Sequence, residues 1–404
     1  MKSVRVRIAM LAVVSVVLIV AVSLAIVAHA WREDAGKDPA ADTATTDAAV
    51  SQGGEEPEPD AGPTDTELRD AQIRAYMDTL TTEQKVGQLF IVRCPTGSEL
   101  YTVTTWQVGG FVLFGQDVTG ETASSLSGKI ALWQSAGKTP MIIATDEEGG
   151  TVNRVSLNTN LRAQPFPAPQ DLLAAGGWES VQADAQEKAQ LLLSLGINTN
   201  LAPVADVSQD PSSFIYDRTI GLDADGTGEY VRTVVTAFKD ARLGSCLKHF
   251  PGYGDNADSH TQIVYDYREW WQVEADLASF SAGIDAGANA VLVSHNIVTS
   301  LDADLPASLS PAVHAILRNE LGFDGVVMTD DMDMAGLTDF TSQQEAAYLA
   351  IKAGNDMVMT SHYDTQIPYL LGKIESGELT MEEVDAAVFR VLRMKVELGI
   401  LTLE

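Results

Sequence analysis

Strand and helix signals alternate along most of this chain, and that alternation is what most restricts its fold. Short β-rich runs occur at residues 88–93, 110–114, 140–145, 198–203, 245–249, 290–294, 326–329 and 356–360. Helical stretches lie between most of them, most clearly at 182–194, 229–241, 271–286 and 311–321. Parallel strands need a crossover between them, usually a helix. Eight such units therefore predict an α/β fold, a single (β/α)8 TIM-type barrel. The structural rival is an open doubly wound sheet. No Gly-rich dinucleotide fingerprint and no phosphate loop supports it.

Two segments of different character precede the barrel. In residues 1–31, Lys2, Arg5 and Arg7 stand before an uncharged apolar run from Ile8 to Ala28. That run is about long enough to span a bilayer. Its basic flank would stay cytoplasmic and place everything after Trp31 outside. Ala28-His29-Ala30 also resembles a small-x-small cleavage site, so the segment is either a transmembrane anchor or a signal peptide. Both export the rest of the chain, tethered to the cell membrane or secreted. Residues 32–66 hold almost no large apolar side chain. They cannot bury enough surface to offset chain entropy and are expected to form a disordered acidic linker. The folded domain is expected over 67–404. Ile73, Tyr76, Met77 and Leu80 share one helical face, and Thr81 with Gln84 predicts a capping box for a second helix.

Charge and rare residues exclude several functions. The chain carries 56 acidic against 26 basic residues, a net charge of -30. Such a surface repels nucleic acid and anionic lipid. Cys94 and Cys246 suggest neither a metal site nor a disulfide framework and are expected as buried thiols. The six histidines form no HxH or HExxH pair, so neither metal nor cofactor is expected.

Barrel chemistry sits at the C-terminal ends of the strands. Reading those ends yields Arg93, Asp146, Asp206, Lys248, His249, His295, Asp330, Asp331 and His362. Polar residues commonly appear where strands become loops, which accounts for a few of these but not for one on nearly every strand.

Several segments carry a resemblance. Lys248-His249-Phe250-Pro251-Gly252-Tyr253-Gly254 is followed by Asp258-Ser259-His260. Residues 317–332 end in Val326-Val327-Met328-Thr329-Asp330-Asp331-Met332. Asp146-Glu147-Glu148-Gly149-Gly150 with Val152 and Arg154, the run from Asn200 to Asp206, and Asp217-Arg218 agree in order. Together these resemble glycoside hydrolase family 3 from roughly Leu80 to Leu401, and the Asp-Ser-His loop resembles its N-acetylglucosaminidase branch. Glu147 stands where the family usually has Gln, and is expected to adjust the charge near the sugar. Tyr253 stands where His is common.

The resemblance implies a retaining exo-β-N-acetylglucosaminidase that forms a covalent glycosyl-enzyme. Its expected substrates are cell-wall peptidoglycan fragments or related oligosaccharides containing N-acetylglucosamine. Asp330 would be the nucleophile and His260 the acid/base, oriented by Asp258. Asp146, Arg218, Lys248 and His249 would bind the terminal sugar. On position alone, Asp330 could equally cap a helix and His260 could be a plain surface histidine. The chemistry is coherent, because an imidazole titrates near neutrality and can both give a proton to a leaving oxygen and take one from water. Lys248 and Arg218 are expected to hold the Asp330 pKa down. Asp331 is expected to be structural, and the loop 252–261 to be mobile. Arg93 and His295 join the candidates by strand-end position. The alternatives are a family-3 β-glucosidase or xylosidase, a β-N-acetylglucosaminide phosphorylase and a non-catalytic wall-binding protein.

Overall fold

The computed structural model describes residues 64–403. The expected anchor or signal segment at 1–31 and nearly all of the expected linker lie outside the described residues. Among the described residues, no helix is long and apolar enough to cross a membrane.

Eight parallel strands close a barrel. They are β1 (Phe90–Arg93), β2 (Gly110–Leu113), β3 (Ile142–Thr145), β4 (Thr199–Asn200), β5 (Gly244–Phe250), β6 (Ala290–Val293), β7 (Val326–Asp331) and β8 (Met357–Thr360). Each pairs with its neighbours in chain order, and β1 closes on β8 with Phe90 opposite Val358 and Ile91 opposite Met359. Closure leaves the sheet no free edge. Each β-rich run of the sequence supplies one strand, so the TIM-type barrel is the fold.

Side chains alternate across the sheet with the period of two that a strand imposes. Ile91, Val112, Ile142, Cys246 and Met328 fill the barrel, where Val391 and Met394 of the helix Met381–Glu397, and Leu398 just after it, pack against them. Their neighbours Phe90, Phe111, Ile143, Leu247 and Val327 face the surrounding helices.

Boundaries differ from expectation where tertiary pairing decides them. Strands β5 and β7 run further, because Phe250 pairs with Val293 and Asp331 with Met359. Asp330 and Asp331 are thereby strand residues rather than loop residues, and Lys248 and His249 are strand residues as expected. Gln88 ends the helix Thr82–Gln88 instead of opening β1, and that helix has the expected Thr81–Gln84 capping box. A second capping box, between Thr64 and Glu67, starts the first described helix at Asp65, ahead of the expected boundary at Glu67. The expected helix 182–194 is the end of a longer one, Pro169–Ser194, kinked at Gly176 and Gly177. Two accessory strands, Tyr265–Asp266 and Ile297–Val298, pair with each other outside the barrel. They follow β5 and β6, so they lie at the C-terminal rim.

Candidate active site

A cavity of about 390 Å³ opens at that rim. Its lining includes Asp330, His260, Asp258, Asp146, Arg218, Lys248 and His249, together with Arg93, Phe114, Glu148, Arg154 and Asp331. The volume suits a sugar-sized ligand. All seven expected site residues converge on it, from β5, β7 and the loops that follow β3, β4 and β5.

Asp330 is buried near the end of β7. Its Oδ1 accepts the Asp331 N–H at 2.8 Å, while the buried Oδ2 has no hydrogen-bond partner. A buried polar atom without a partner is costly and rare in native folds. Here the unpartnered oxygen belongs to a carboxylate on the cavity wall, the position of an attacking group. Burial pushes the Asp330 pKa up, but His249, His295, His260 and the Asp331 amide pull harder, and the net is below the ordinary carboxylate value. Lys248 and Arg218, expected in that role, are engaged elsewhere.

Lys248 Nζ lies 2.7 Å from Asp146 Oδ1 and 2.6 Å from Glu148 Oε1. Arg218 grips Glu148 with two bonds, Nε to Oε2 at 2.9 Å and Nη2 to Oε1 at 2.8 Å. Burial raises the Glu148 pKa, and the charges of Arg218 and Lys248 overcome it, leaving the carboxyl far below its usual range. Burial lowers the Lys248 pKa, and Asp146 and Glu148 more than reverse this. The ammonium and the Glu148 carboxylate therefore stay charged. Fixed donors and acceptors side by side suit vicinal hydroxyls, each of which donates and accepts.

His249 is buried beside this array. Its Nδ1 is 2.7 Å from Asp206 Oδ2, and its Nε2 is 3.2 Å from Arg218 Nη2. Arginine only donates. Nε2 is therefore the acceptor in that contact, and Nδ1 donates to Asp206. Asp206 also accepts the backbone N–H of His249 at 3.1 Å and of Tyr253 at 2.7 Å. It stands behind the cavity and shapes the turn after β5. Lys248 and His249 both line the cavity, and the peptide between them is cis.

His260 and Asp258 form a close pair. His260 Nδ1 is 2.6 Å from Asp258 Oδ1, and the His260 side chain is 51% exposed. A carboxylate only accepts, so Nδ1 carries the proton that bonds it and Nε2 is left for the substrate. The loop that was expected to be mobile is docked in this structure. Ser259 is fully buried and its Oγ is 2.5 Å from Tyr253 Oη. Gly336 N–H donates to Ser259 O at 3.1 Å. A Cβ on Gly336 would lie 3.0 Å from that oxygen and 3.2 Å from Gln262 O, so the close seat favours glycine.

Other expectations are corrected. Glu147 does not adjust the charge at the sugar position. Its carboxylate is buried among backbone donors, accepting N–H of Arg154 at 2.9 Å, Val155 at 2.6 Å and Ser156 at 3.2 Å. Asn200 clamps the Glu147 peptide, accepting its N–H and donating to its C=O, both at 2.9 Å. That clamp turns Glu147 inward and Glu148 into the cavity. Glu148 is thus a site residue passed over in the sequence, although it lies inside the quoted Asp146–Gly150 segment. Arg93 does reach the cavity, where it pairs with Asp331 and lies 4.9 Å over the Phe114 ring. Asp331, expected to be structural, accepts the Asp333 N–H at 3.0 Å and also lines the cavity. His295 is buried behind the wall, bonded to Ser308 Oγ at 2.7 Å and Asp331 O at 3.1 Å. His362 is half-exposed outside the cavity, 3.2 Å from Asp333.

A parallel barrel that gathers a buried carboxylate, a free imidazole nitrogen and a hydroxyl-reading ion array at one rim defines a glycoside-cleaving enzyme. Residues 81–394 match the model of the glycosyl hydrolase family 3 N terminal domain. The chain belongs to glycoside hydrolase family 3. It is similar to the β-hexosaminidase LpqI of Mycobacterium tuberculosis, 31% identical over 330 residues, covering 78% of this chain and 83% of that protein. Among solved structures it is similar to a family 3 β-N-acetylglucosaminidase from Paenibacillus, with TM-score 0.74, 30% identity and coverage of 80% of this chain and 65% of that one. A β-N-acetylhexosaminidase from Beutenbergia cavernae superposes with TM-score 0.72 at 31% identity, over 78% of this chain and 99% of that one.

Proposed function

We propose that this glycoside hydrolase is a retaining exo-β-N-acetylglucosaminidase. The observation that carries the reading is the Asp258–His260 pair lining the same cavity as Asp330. Relatives named as β-hexosaminidases and β-N-acetylglucosaminidases at 30–31% identity support it.

The terminal sugar is held by Asp146, Glu148, Arg218, Lys248 and His249. Asp330 Oδ2 attacks the anomeric carbon as the bond to the leaving oxygen breaks, and the proton on His260 Nε2 goes to that oxygen. The Asp258 carboxylate stabilises the imidazolium while the ring carries both protons. In the second step His260 Nε2 takes a proton from water, the water oxygen attacks the anomeric carbon, and Asp330 departs as carboxylate. Two displacements on opposite faces of the sugar return the starting anomer.

The proposed setting is the cell envelope, with peptidoglycan fragments as substrate. Lys2, Arg5 and Arg7 before the apolar run from Ile8 to Ala28 support an extracytoplasmic domain, anchored or secreted.

The test compares nitrophenyl β-N-acetylglucosaminide with the β-glucoside, with and without phosphate, using Asp330→Asn as control. Preference for the acetamido sugar, abolished in the variant and indifferent to phosphate, is expected. Faster turnover with phosphate, yielding the sugar 1-phosphate, would identify a phosphorylase instead.

A further inference from the structure

The rim beside the catalytic loop carries aromatic surface that the cavity does not use. Tyr265, Tyr267 and Trp271 are 45%, 77% and 68% exposed. Among the eight exposed large hydrophobic side chains of the described residues, these three fall within one stretch of seven residues. Single exposures need no explanation, whereas a cluster marks an interaction site.

Its place in the fold is defined. The stretch leaves the catalytic loop just after His260, and Tyr265–Asp266 pairs with Ile297–Val298, the accessory strand that follows β6. Tyr265 and Tyr267 are two apart and share one side. Their rings stack, with centroids 6.0 Å apart and planes 14° from parallel. Asp266, between them, is fully buried and bound by Arg268 at 2.6 Å. Arg268 also reaches Asp276 of the helix Trp270–Ala286 at 2.6 Å and donates to Gly252 O at 2.9 Å. One guanidinium therefore fastens the aromatic stretch, the helix that bears Trp271 and the start of the catalytic loop.

Chemistry indicates what lies on this surface. A general acid must sit on the leaving-group side of the bond it helps to break. His260 therefore marks the side on which the rest of the substrate leaves the cavity, and the aromatic stretch follows directly from it. Sugar rings present apolar C–H faces of a size that aromatic rings cover.

We propose that Tyr265, Tyr267 and Trp271 form a platform for the leaving-group end of the substrate, a chain of N-acetylhexosamine rings. The proposal rests on the reading of the cavity as an N-acetylglucosaminidase site. The enzyme is then built for oligosaccharides more than for isolated glycosides.

Calorimetric titration of the full chain carrying Asp330→Asn with N-acetylglucosamine and its di-, tri- and tetrasaccharides tests this. Affinity should rise with chain length. Adding Tyr267→Ala or Trp271→Ala should weaken the tetrasaccharide about tenfold and the monosaccharide far less. Both side chains are exposed, so neither change should unfold the chain. Monosaccharide binding with no length dependence, or variants that bind the tetrasaccharide as tightly as their parent, would overturn the platform alone. Absence of binding at every length would overturn the platform and the cavity reading together.

Discussion

His260 Nδ1 lies 2.6 Å from Asp258 Oδ1, and the same oxygen accepts the His260 backbone N–H at 2.9 Å. One carboxylate oxygen thus fixes both ring and backbone of a residue two positions later. The arrangement is local to the loop, occupies Nδ1 and leaves Nε2 to a substrate in the cavity that His260 lines. Much of what the site can do depends on this pair staying in place.

Replacing His260 by Ala should reduce turnover of glycosides with poor leaving groups by about 10²–10⁴-fold, the usual scale of general acid catalysis. Activated aryl glycosides need little protonation and should lose much less in the glycosylation step. A leaving-group series on the variant reads this directly. Equal losses across the series would remove His260 from the acid role.

Tyr253→Phe deletes the hydroxyl that meets Ser259 Oγ at 2.5 Å. Ser259 is fully buried, so its hydroxyl is left without that partner, at a cost of roughly 1–3 kcal/mol. Amide exchange in 256–262 should quicken, and turnover should fall most for poor leaving groups, because Asp258 and His260 ride on that loop. Unchanged exchange would mean that Gly336 alone seats the loop.

The two adjacent glutamates should separate cleanly. Glu148→Gln weakens the hold on both Arg218 and Lys248, and kcat/KM should fall by about 10²-fold or more, in line with loss of a buried charge-assisted contact. Glu147→Gln turns an amide NH2 toward backbone donors, so it should cost roughly 1–3 kcal/mol of stability with kcat/KM within a few fold. Thermal melts and steady-state rates on both variants decide it. Comparable kcat/KM losses would place Glu147 at the sugar after all.

Lys395 supplies a pH prediction far from the cavity. It is fully buried with its Nζ 2.5 Å from Gln88 Oε1, and burial pushes its pKa down to about 7 from 10.5. The unfolded chain therefore holds this proton where the folded chain has released it. The penalty to folding is full below about pH 7, shrinks as pH rises and vanishes near 10.5. Stability should rise across that window, and Lys395→Met should flatten the slope and raise Tm at neutral pH. Urea melts at several pH values would show it, and a slope indifferent to the substitution would contradict it.

The fold was legible because helical crossovers separated most of the eight strand runs, and parallel closure follows from such units. The cavity was legible because its residues sit at strand ends or in the segments just after them. Which of two neighbours faces the substrate was not. Glu147 and Glu148 look alike in sequence, and Asn200, far along the chain, decides between them. Strand-end position also over-selected. Asp206 and His295 sit one layer behind the wall and His362 beyond its edge, placements that depend on contacts with His249, Ser308 and Asp333. The accessory strands have two residues each, too short to show a period.

The central claim is that Asp330 forms the covalent bond to sugar. Full-length His260→Ala protein mixed with an activated aryl N-acetylglucosaminide, quenched and digested, should carry a single hexosamine adduct on the peptide that contains Asp330, because glycosylation proceeds while general-base release is slowed. An adduct on a different carboxylate, or product of inverted anomeric configuration with no adduct, would contradict the account.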